Sequence, residues 1–342
     1  MHKHPSSTVV PAARIRSIKA PTVQLTQQFR ESEGNFYESE PTQRDAQDER
    51  TGTPSSVDLR SVVLLAGSVG RSGLTASIKR SFLDLPLTSE CTVMDRWRNE
   101  IREFCRVQPS IPFRLLVDQH SASPSDSSTA NVPQLQIERD PLPYRGTGGL
   151  LHDVARGYAF NGWILVVNAA QVLCMPLSDL ADELLKAGGD VRLVTDEGSC
   201  VAGAMLMNCD ALRSVAEVGY CDFKEQVLPS IRESGRSISV TTLRSQLGFS
   251  LRDRRTYLDA VALAHGKLSV QPCATQDSED EGLARRFSIV EPGASVHPTA
   301  ILFDAVVLAG AQIGPQAALI RSVVCAEGRV GSRQVVRDSL LA

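Results

Sequence analysis

The chain has 342 residues, 42% hydrophobic and 22% charged, with a formal net charge of −3. This length accommodates one large domain and a smaller module, and the weak net charge gives no electrostatic case for nucleic-acid binding, which usually needs a basic face. No apolar run approaches the roughly 18 residues of a membrane span, and the N-terminus lacks the apolar core of a secretory signal. We therefore expect a cytoplasmic protein without membrane or nucleic-acid partners.

Cysteine usage and the first 60 residues bear on the compartment and on the folded length. The eight cysteines include no CxxC pair, which favours buried thiols in a reducing compartment over a zinc site or a disulfide framework. Residues 1–60 are rich in Ser, Thr, Gln, Glu and Pro and contain few large apolar side chains. That composition predicts disorder, so the folded part is expected to begin at Ser61.

Strand and helix patterns alternate between residues 61 and 267. The apolar run Ser61–Leu65 is bounded by glycine, and Trp163–Val167 is the most strand-like run in the chain. Further strands are predicted at 113–117, 191–194, 202–207 and 238–241, and helices at 94–106, 222–232 and 256–265. Another helix is expected to be capped by Ser178 or Asp179 and to end at Gly188. This alternation predicts an α/β domain with a mainly parallel sheet covered on both faces.

The pattern changes period after an acidic stretch at 268–287, which is interpreted as a linker. Apolar residues then recur at intervals of six with occasional fives, at Val290, Val296, Leu302, Leu308, Ile313, Leu319, Cys325, Val330 and Val336. Hexapeptide repeats of this kind place one apolar side chain inward from each short strand of a triangular parallel β-helix. We predict about three such coils over 288–342; the alternative is an irregular tail rich in Gly, Ala and Val.

Two glycine-rich segments are candidates for contact with phosphates. The stretch LLAGSVGRSGLTASIKR, residues 64–80, follows a predicted strand and contains Gly67, Gly70, Arg71, Lys79 and Arg80. Glycines let the backbone approach a phosphate, and the cations supply charge, but a plain strand-to-helix turn with surface charges explains the same residues. The second segment, Gly146–Gly149, is equally consistent with a glycine turn before a helix starting near Leu150.

The order of these segments resembles that of the sugar-1-phosphate nucleotidyltransferases, which include mannose-1-phosphate guanylyltransferase and the glucose-1-phosphate thymidylyl-, uridylyl- and adenylyltransferases. VVLLAGSVG (62–70) stands where the family has its AVILAGGxGTRL loop. Four further segments match family motifs in the same order, namely RGTGGLLHDV (145–154), WILVVN (163–168), DFKEQVLP (222–229) and TYLDA (256–260). The resemblance implies a Rossmann-like nucleotidyltransferase domain followed by a short left-handed parallel β-helix.

The family's chemistry brings two polyanions together, which requires Mg²⁺ held by carboxylates together with Lys or Arg. The metal-binding aspartate implied by the resemblance falls at Ala170, and a second, less secure one falls at Ser250. The segment expected between Val194 and Ala204 to hold the sugar phosphate has no lysine. We therefore predict no catalytic or metal-binding residue, unless Asp118, Asp153 or Asp253 supplies the carboxylate that is missing at Ala170 and Ser250.

What remains of the resemblance is a set of nucleotide contacts. The implied nucleotide-binding residues are Leu65, Ala66, Gly67, Gly70, Arg71, Lys79, Gly146, Thr147, Gly149 and Asn168. The histidines at 120 and 152 are interpreted as surface or capping residues, His297 receives no function, and LRDRR (251–255) is interpreted as a solvated charge run.

Three functions stay open. The first is a catalytically impaired homologue that binds a nucleotide or NDP-sugar, as a regulatory or sensing protein and without a cofactor. The alternative is an active enzyme that forms NDP-sugar and pyrophosphate from NTP and sugar 1-phosphate, in which case Mg²⁺ is needed. A third is a scaffold that binds no nucleotide. The β-helix is expected to mediate association with a second copy or with a partner subunit.

Overall fold

The computed structural model describes residues 57–67, 73–119, 121–125, 132–140, 145–195, 203–213, 215, 219–266 and 287–342. Gly70, Arg71, His120, the linker up to residue 286 and most of the predicted N-terminal extension lie outside this set. The first strand begins at Asp58, three residues before the predicted Ser61, because Asp58 and Leu59 already pair with the neighbouring strand. In the described ranges, no helix has the length and apolarity that a membrane crossing requires.

A seven-stranded mixed sheet forms the centre of the α/β part. Its strands are β1 (Asp58–Leu65), β2 (Phe113–Val117), β3 (Leu135–Arg139), β4 (Gly162–Asn168), β6 (Val191–Thr195), β7 (Ala204–Asn208) and β8 (Ile238–Thr242). Their order is β3-β2-β1-β4-β7-β6-β8. Strand β7 is antiparallel to both neighbours, and the other pairs are parallel. The mainly parallel sheet predicted from the sequence is confirmed. A separate antiparallel ladder joins β5 (Gln171–Leu173) to β9 (Gly248–Ser250).

Helices cover both faces of this sheet. They are α1 (Gly73–Ser77), α2 (Val93–Val107), α3 (Gly146–Arg156), α4 (Leu177–Lys186), α5 (Cys209–Leu212), α6 (Leu228–Glu233) and α7 (Arg254–Ala264), with a 3₁₀ turn at Phe82–Asp84 and a π-helical turn at Phe223–Val227. The predicted cap of α4 is wrong. Neither Ser178 nor Asp179 caps this helix; instead the N–H of Leu177 donates to the Glu100 carboxylate at 3.1 Å.

The C-terminal part consists of short parallel strands in three sheets. They are β10 (Ser288–Val290), β11 (Ser295–Val296), β12 (Ile301–Phe303), β13 (Ala305–Val307), β14 (Gln312–Ile313), β15 (Ala318–Ile320), β16 (Val323–Val324), β17 (Arg329–Val330), β18 (Val335–Arg337) and β19 (Leu340–Leu341). Neighbouring strands within each sheet are offset by 17 residues, as in Ser288 with Ala305 and Val323 with Leu340. Two intervals of six and one of five give this repeat.

The apolar residues predicted to point inward from the C-terminal strands are buried or partly buried, except Val290. Val290 is exposed and Ile289 is buried in its place. Leu308 and Cys325 are buried, but they belong to the large core that continues into the α/β part. Val296, Leu302, Ile313, Leu319, Val330 and Val336 pack within the coils. One sheet of the coils therefore docks on the α/β part.

Candidate functional site

A cleft of about 440 Å³ opens where β1 lies between β2 and β4. From β1 the chain proceeds to β2 and β3 on one side of the sheet, and then crosses to β4 on the other. Ligands of open α/β sheets bind at such a switch point, outside the carboxyl ends of the strands. The position of the cleft thus follows from topology before any side chain is considered.

Five of the predicted nucleotide-binding residues line this cleft, namely Leu65, Gly67, Gly146, Thr147 and Asn168. Leu65 and Asn168 are partners in the parallel register of β1 and β4, which explains how segments far apart in the sequence meet. Gly67 lies close to Asp118 at the end of β2, since a Cβ at Gly67 would be 3.3 Å from the Asp118 nitrogen.

Three predicted residues lie elsewhere. Ala66 is buried, and with Lys79 it lines a separate cavity of about 320 Å³. The ammonium group of Lys79 pairs with Glu327 of the C-terminal coils at 2.9 Å. Gly149 is buried against the side chain of Arg145 and does not line the cleft. The structure therefore does not bring these three residues together with the other five.

The glycines of the Gly146–Gly149 segment have a packing reason. Helix α3 begins at Gly146, not near Leu150, and Gly146 has a φ of +70°. The Gly148 N–H donates to the Cys221 carbonyl at 2.9 Å, and the Cys221 N–H donates to the Arg145 carbonyl at 2.8 Å. A Cβ at Gly148 would lie 2.4 Å from a methyl group of Val227. Close backbone packing therefore accounts for glycine at 148 without any ligand.

Replacing Gly148 with alanine should lower the free energy of unfolding by about 1–3 kcal/mol, as overpacking does in well-filled interiors. Gly73→Ala is the matched control, because Gly73 is also helical and a Cβ there would make no tertiary contact within 4 Å among the described residues. Denaturant unfolding measures both variants. Equal stability of the two variants would show that the close packing at Gly148 is wrong.

The side chain of Arg145 holds the Gly146–Gly149 segment in place through hydrogen bonds. Its side chain is buried and donates to both Asp153 oxygens at 2.9 and 3.1 Å and to the Gly219 carbonyl at 3.2 Å. The hydrogen bonds to Asp153 raise the pKa of Arg145 above its usual value, against the opposing effect of burial. Burial raises the pKa of the adjacent Cys221 thiol. Arg145 therefore stays charged, and its side chain links the N-terminus of α3 to Asp153 and to the Gly219 carbonyl.

Further polar and aromatic side chains reach the cleft without having been assigned to it. They are Asp118, Asp140, Tyr220, Lys224 and Arg252. Tyr220 is 64% exposed, and its ring lies beside Gly146. In the described part of the chain, no carboxylate pairs with the side chain of Lys224 or Arg252.

Two of these residues, Lys224 and Arg252, lie in segments that the sequence had already singled out. Lys224 lies in the segment DFKEQVLP, where Asp222 accepts from the N–H groups of Lys224 and Glu225 and so fixes the turn. Arg252 belongs to LRDRR. Its interpretation as a solvated charge run is right for Arg252, Asp253 and Arg255, which are exposed, but not for Leu251, which is buried. Only the first arginine lines the cleft, while Arg254 lies 3.7 Å from Asp338 in the coils.

The two expected metal positions lie beside the β5–β9 ladder but offer no carboxylate, since Ala170 directly precedes β5 and Ser250 ends β9. Gln171 pairs with Ser250 across the β5–β9 ladder, and the Leu251 N–H donates to the Ala170 carbonyl at 2.9 Å. The methyl group of Ala170 is fully buried in the main core. The Asn168 side chain accepts from the Ala170 N–H at 2.9 Å, which shapes the turn after β4.

The acidic residues considered as replacements divide into two groups. Asp153 is bound to Arg145, and Asp253 caps α7 by accepting from the Thr256 N–H at 2.9 Å. Asp118 does line the cleft, and Asp140 joins it from the end of β3. Across the described residues, no group of three or more His, Cys, Asp or Glu side chains is arranged to hold a metal ion.

His152 agrees with its predicted role in part. It is buried, so it is not a surface residue, but its Nδ1 lies 3.0 Å from the carbonyl of Leu212, the last residue of α5, which is a capping contact. The described cysteines are free thiols, of which 209, 221 and 325 are buried.

Comparison with known proteins gives structural similarity only. No protein-family model and no curated protein sequence matches the chain. HddC from Yersinia pseudotuberculosis is 14% identical, with a TM-score of 0.45 over 59% of this chain and 98% of its own. The complex of HddC with GMP-PN is 13% identical, with the same TM-score and the same coverage of both chains. A protein from Bacillus anthracis provisionally assigned as a glucose-1-phosphate thymidylyltransferase is 9% identical, with a TM-score of 0.47 over 60% of this chain and 95% of its own. Similarities at these levels establish neither a family nor a ligand for this chain.

Proposed function

We propose that the cleft binds a nucleotide or nucleotide sugar, and that the chain is impaired in nucleotidyl transfer. One observation supports binding above the others: three segments matched to family motifs, carrying Gly67, Gly146–Thr147 and Asn168, converge on a single cleft at the switch point. The volume of about 440 Å³ lies within the range of ligand pockets. A regulatory or sensing role is consistent with binding without turnover.

The chemistry of the cleft fits a ligand with an anionic and an aromatic part. The first turn of α3 has no side-chain cap. Its Gly148 N–H is already bonded to the Cys221 carbonyl, so the helix dipole and the other N–H groups of this turn would attract a phosphate. Lys224 and Arg252 add positive charge, while the exposed ring of Tyr220 offers a stacking surface for a base. Asp118 and Asp140 can accept hydrogen bonds from sugar hydroxyls or base amino groups.

Impaired catalysis is supported by the two expected metal positions. Ala170 presents a buried methyl group and Ser250 a hydroxyl, so neither supplies the carboxylate that the family uses to hold Mg²⁺ against the phosphates. Metal-assisted phosphoryl chemistry draws several kcal/mol from such an ion.

An active nucleotidyltransferase is the second candidate, and Asp118 and Asp140 favour it. Mg²⁺ in phosphate-transfer sites often takes only one or two carboxylates from the protein and completes its shell with water and phosphates. These two residues would hold the ion, which would neutralise the phosphates when bound.

A paired assay separates the two candidates. We expect millimolar NTP or NDP-sugar to raise the melting temperature, without pyrophosphate release from mixtures of NTP, sugar 1-phosphate and Mg²⁺. EDTA-sensitive pyrophosphate release that Asp118→Asn abolishes would overturn the impaired state in favour of the enzyme. Absence of any melting-temperature shift across the common nucleotides and NDP-sugars would overturn nucleotide binding and favour the scaffold.

We further propose that the C-terminal coils form a left-handed β-helix of hexapeptide repeats and mediate self-association. The 17-residue register of the three parallel sheets supports the first point. The second is supported by the outward side chains of Ile301 and Val335, which are 65% and 58% exposed on one sheet. A strictly monomeric mass by light scattering contradicts self-association.

A further inference from the structure

Two glutamates interrupt the 17-residue repeat of the C-terminal coils. Glu291 stands where the next two coils have Leu308 and Cys325, both buried. Glu327 stands where the two preceding coils have Gly293 and Gly310. Each position is thus occupied by an apolar residue or a glycine elsewhere in the repeat, and by a carboxylate only once.

Both glutamates bind cations at the end of the glycine-rich loop. The Lys79 ammonium group lies 2.9 Å from Glu327 Oε2, and a terminal guanidinium nitrogen of Arg80 lies 2.6 Å from Glu291 Oε1. The second oxygen of Glu291 accepts from the Ala309 N–H at 2.8 Å. Two consecutive residues of the α/β part are therefore held by the only two carboxylates that break these columns of the repeat.

Glu327 occupies a left-handed corner that glycine fills in the two preceding coils. Gly293 and Gly310 have φ values of +93° and +87°, in the left-handed region that favours glycine, and Glu327 adopts +68° in the same corner. Lys79, its partner, has a φ of +51°. The pair is 62% and 77% exposed, and exposed ion pairs contribute little to stability. The less exposed Arg80–Glu291 pair, with 31% and 13% exposed side chains, is therefore the stronger of the two contacts between this segment and the coils.

We infer that the C-terminal coils position the segment Gly73–Arg80 beside the cleft, with Glu291 and Glu327 as positioning residues. This segment, with Ala66 and Val117, borders the 320 Å³ cavity, and Val117 also lines the nucleotide cleft. The consequence for ligand affinity rests on the proposed function; the positioning itself does not. In the bound state a loop that is already held costs less ordering free energy, so the coils favour binding.

Amide hydrogen exchange of the full chain tests the positioning without any ligand. In the double variant Glu291→Gln/Glu327→Gly, we expect exchange of residues 73–80 to accelerate about tenfold, since a charge-assisted hydrogen bond is lost. Arg333→Gly is the matched control, because Arg333 is another non-glycine corner residue, with a φ of +60°, whose side chain bonds to Gln316 in its own coils and to no described residue of the α/β part. Unchanged exchange in the double variant, or equal acceleration in the control, overturns the inference.

Charge reversal and ligand titration separate positioning from general destabilisation. Lys79→Glu should accelerate exchange of the same segment, and Lys79→Glu/Glu327→Lys should restore it; failure of the swap to rescue contradicts a specific pair. Where the wild type binds a nucleotide, Glu291→Gln/Glu327→Gly should raise Kd about threefold to tenfold. A wild type without nucleotide affinity refutes the proposed function, while the exchange result still decides the positioning.

Discussion

Replacing Trp97 with alanine is expected to lower the free energy of unfolding by about 3–5 kcal/mol, the range for a large buried aromatic side chain. Trp97 is 2% exposed and lies on the inner face of α2 in the main core. Its indole N–H donates to the Ala169 carbonyl at 2.9 Å. Removal therefore leaves both a cavity and an unpaired carbonyl next to the turn that shapes one wall of the cleft.

Two variants separate these contributions. Trp97→Phe keeps most of the ring but not the hydrogen bond, so it should cost less than Trp97→Ala while still losing about 1 kcal/mol for the unpaired carbonyl. Val107→Ala, on the same helix but 74% exposed, should stay within about 0.5 kcal/mol of the wild type. Urea unfolding at constant m-value measures all three. A loss below about 1 kcal/mol for Trp97→Ala would contradict the packing of α2 against the turn after β4.

The long apolar strands could be predicted because their pattern is local. Phe113–Val117 has the predicted bounds, and the β4 prediction differs from the observed strand by one residue at each end. The strands β3, β5 and β9 were missed, since LQIER has few apolar residues and the other two strands have only three residues each. What defines such strands is a partner supplied by the tertiary fold, which a local pattern does not contain.

The site residues also divide into those that the sequence could group and those whose partners depend on the tertiary fold. Gly67, Gly146 and Asn168 meet because parallel strands end on one edge of the sheet, so motif order was sufficient to group them. Lys79 was grouped with them by its position in the loop, but its partner Glu327 is 248 residues away in sequence. The 17-residue spacing of the coils, and not the loop itself, determines where that glutamate lies.

Alanine at position 170, where the resemblance implies an aspartate, was visible in the sequence, but its surroundings were not. The structure buries this methyl group in the core and places Asp118 and Asp140 in the cleft. Sequence order alone could not show this, because Asp118 and Asp140 come from the ends of two other strands. The carboxylates that line the cleft therefore directly follow β2 and β3, and neither belongs to the segments of Ala170 and Ser250.

The second large expected effect is the loss of Lys224 and Arg252, the cleft cations for which the described residues provide no carboxylate partner. Arg252→Ala should weaken nucleotide or NDP-sugar binding about tenfold or more, because a charge-assisted hydrogen bond contributes roughly 1.5–3 kcal/mol. Lys224→Ala should act in the same direction, and the two losses together should exceed either alone. Arg255→Ala is the matched control, since Arg255 lies three residues away and lines a different cavity at the junction with the coils.

Calorimetric titration of one nucleotide or NDP-sugar into the wild type, Arg252→Ala and Arg255→Ala tests the assignment of the cleft most directly. We predict saturable binding to the wild type, the same Kd for Arg255→Ala, and a Kd at least about tenfold higher for Arg252→Ala. Saturable binding with equal Kd values in all three proteins would place the nucleotide outside this cleft and contradict the proposed site.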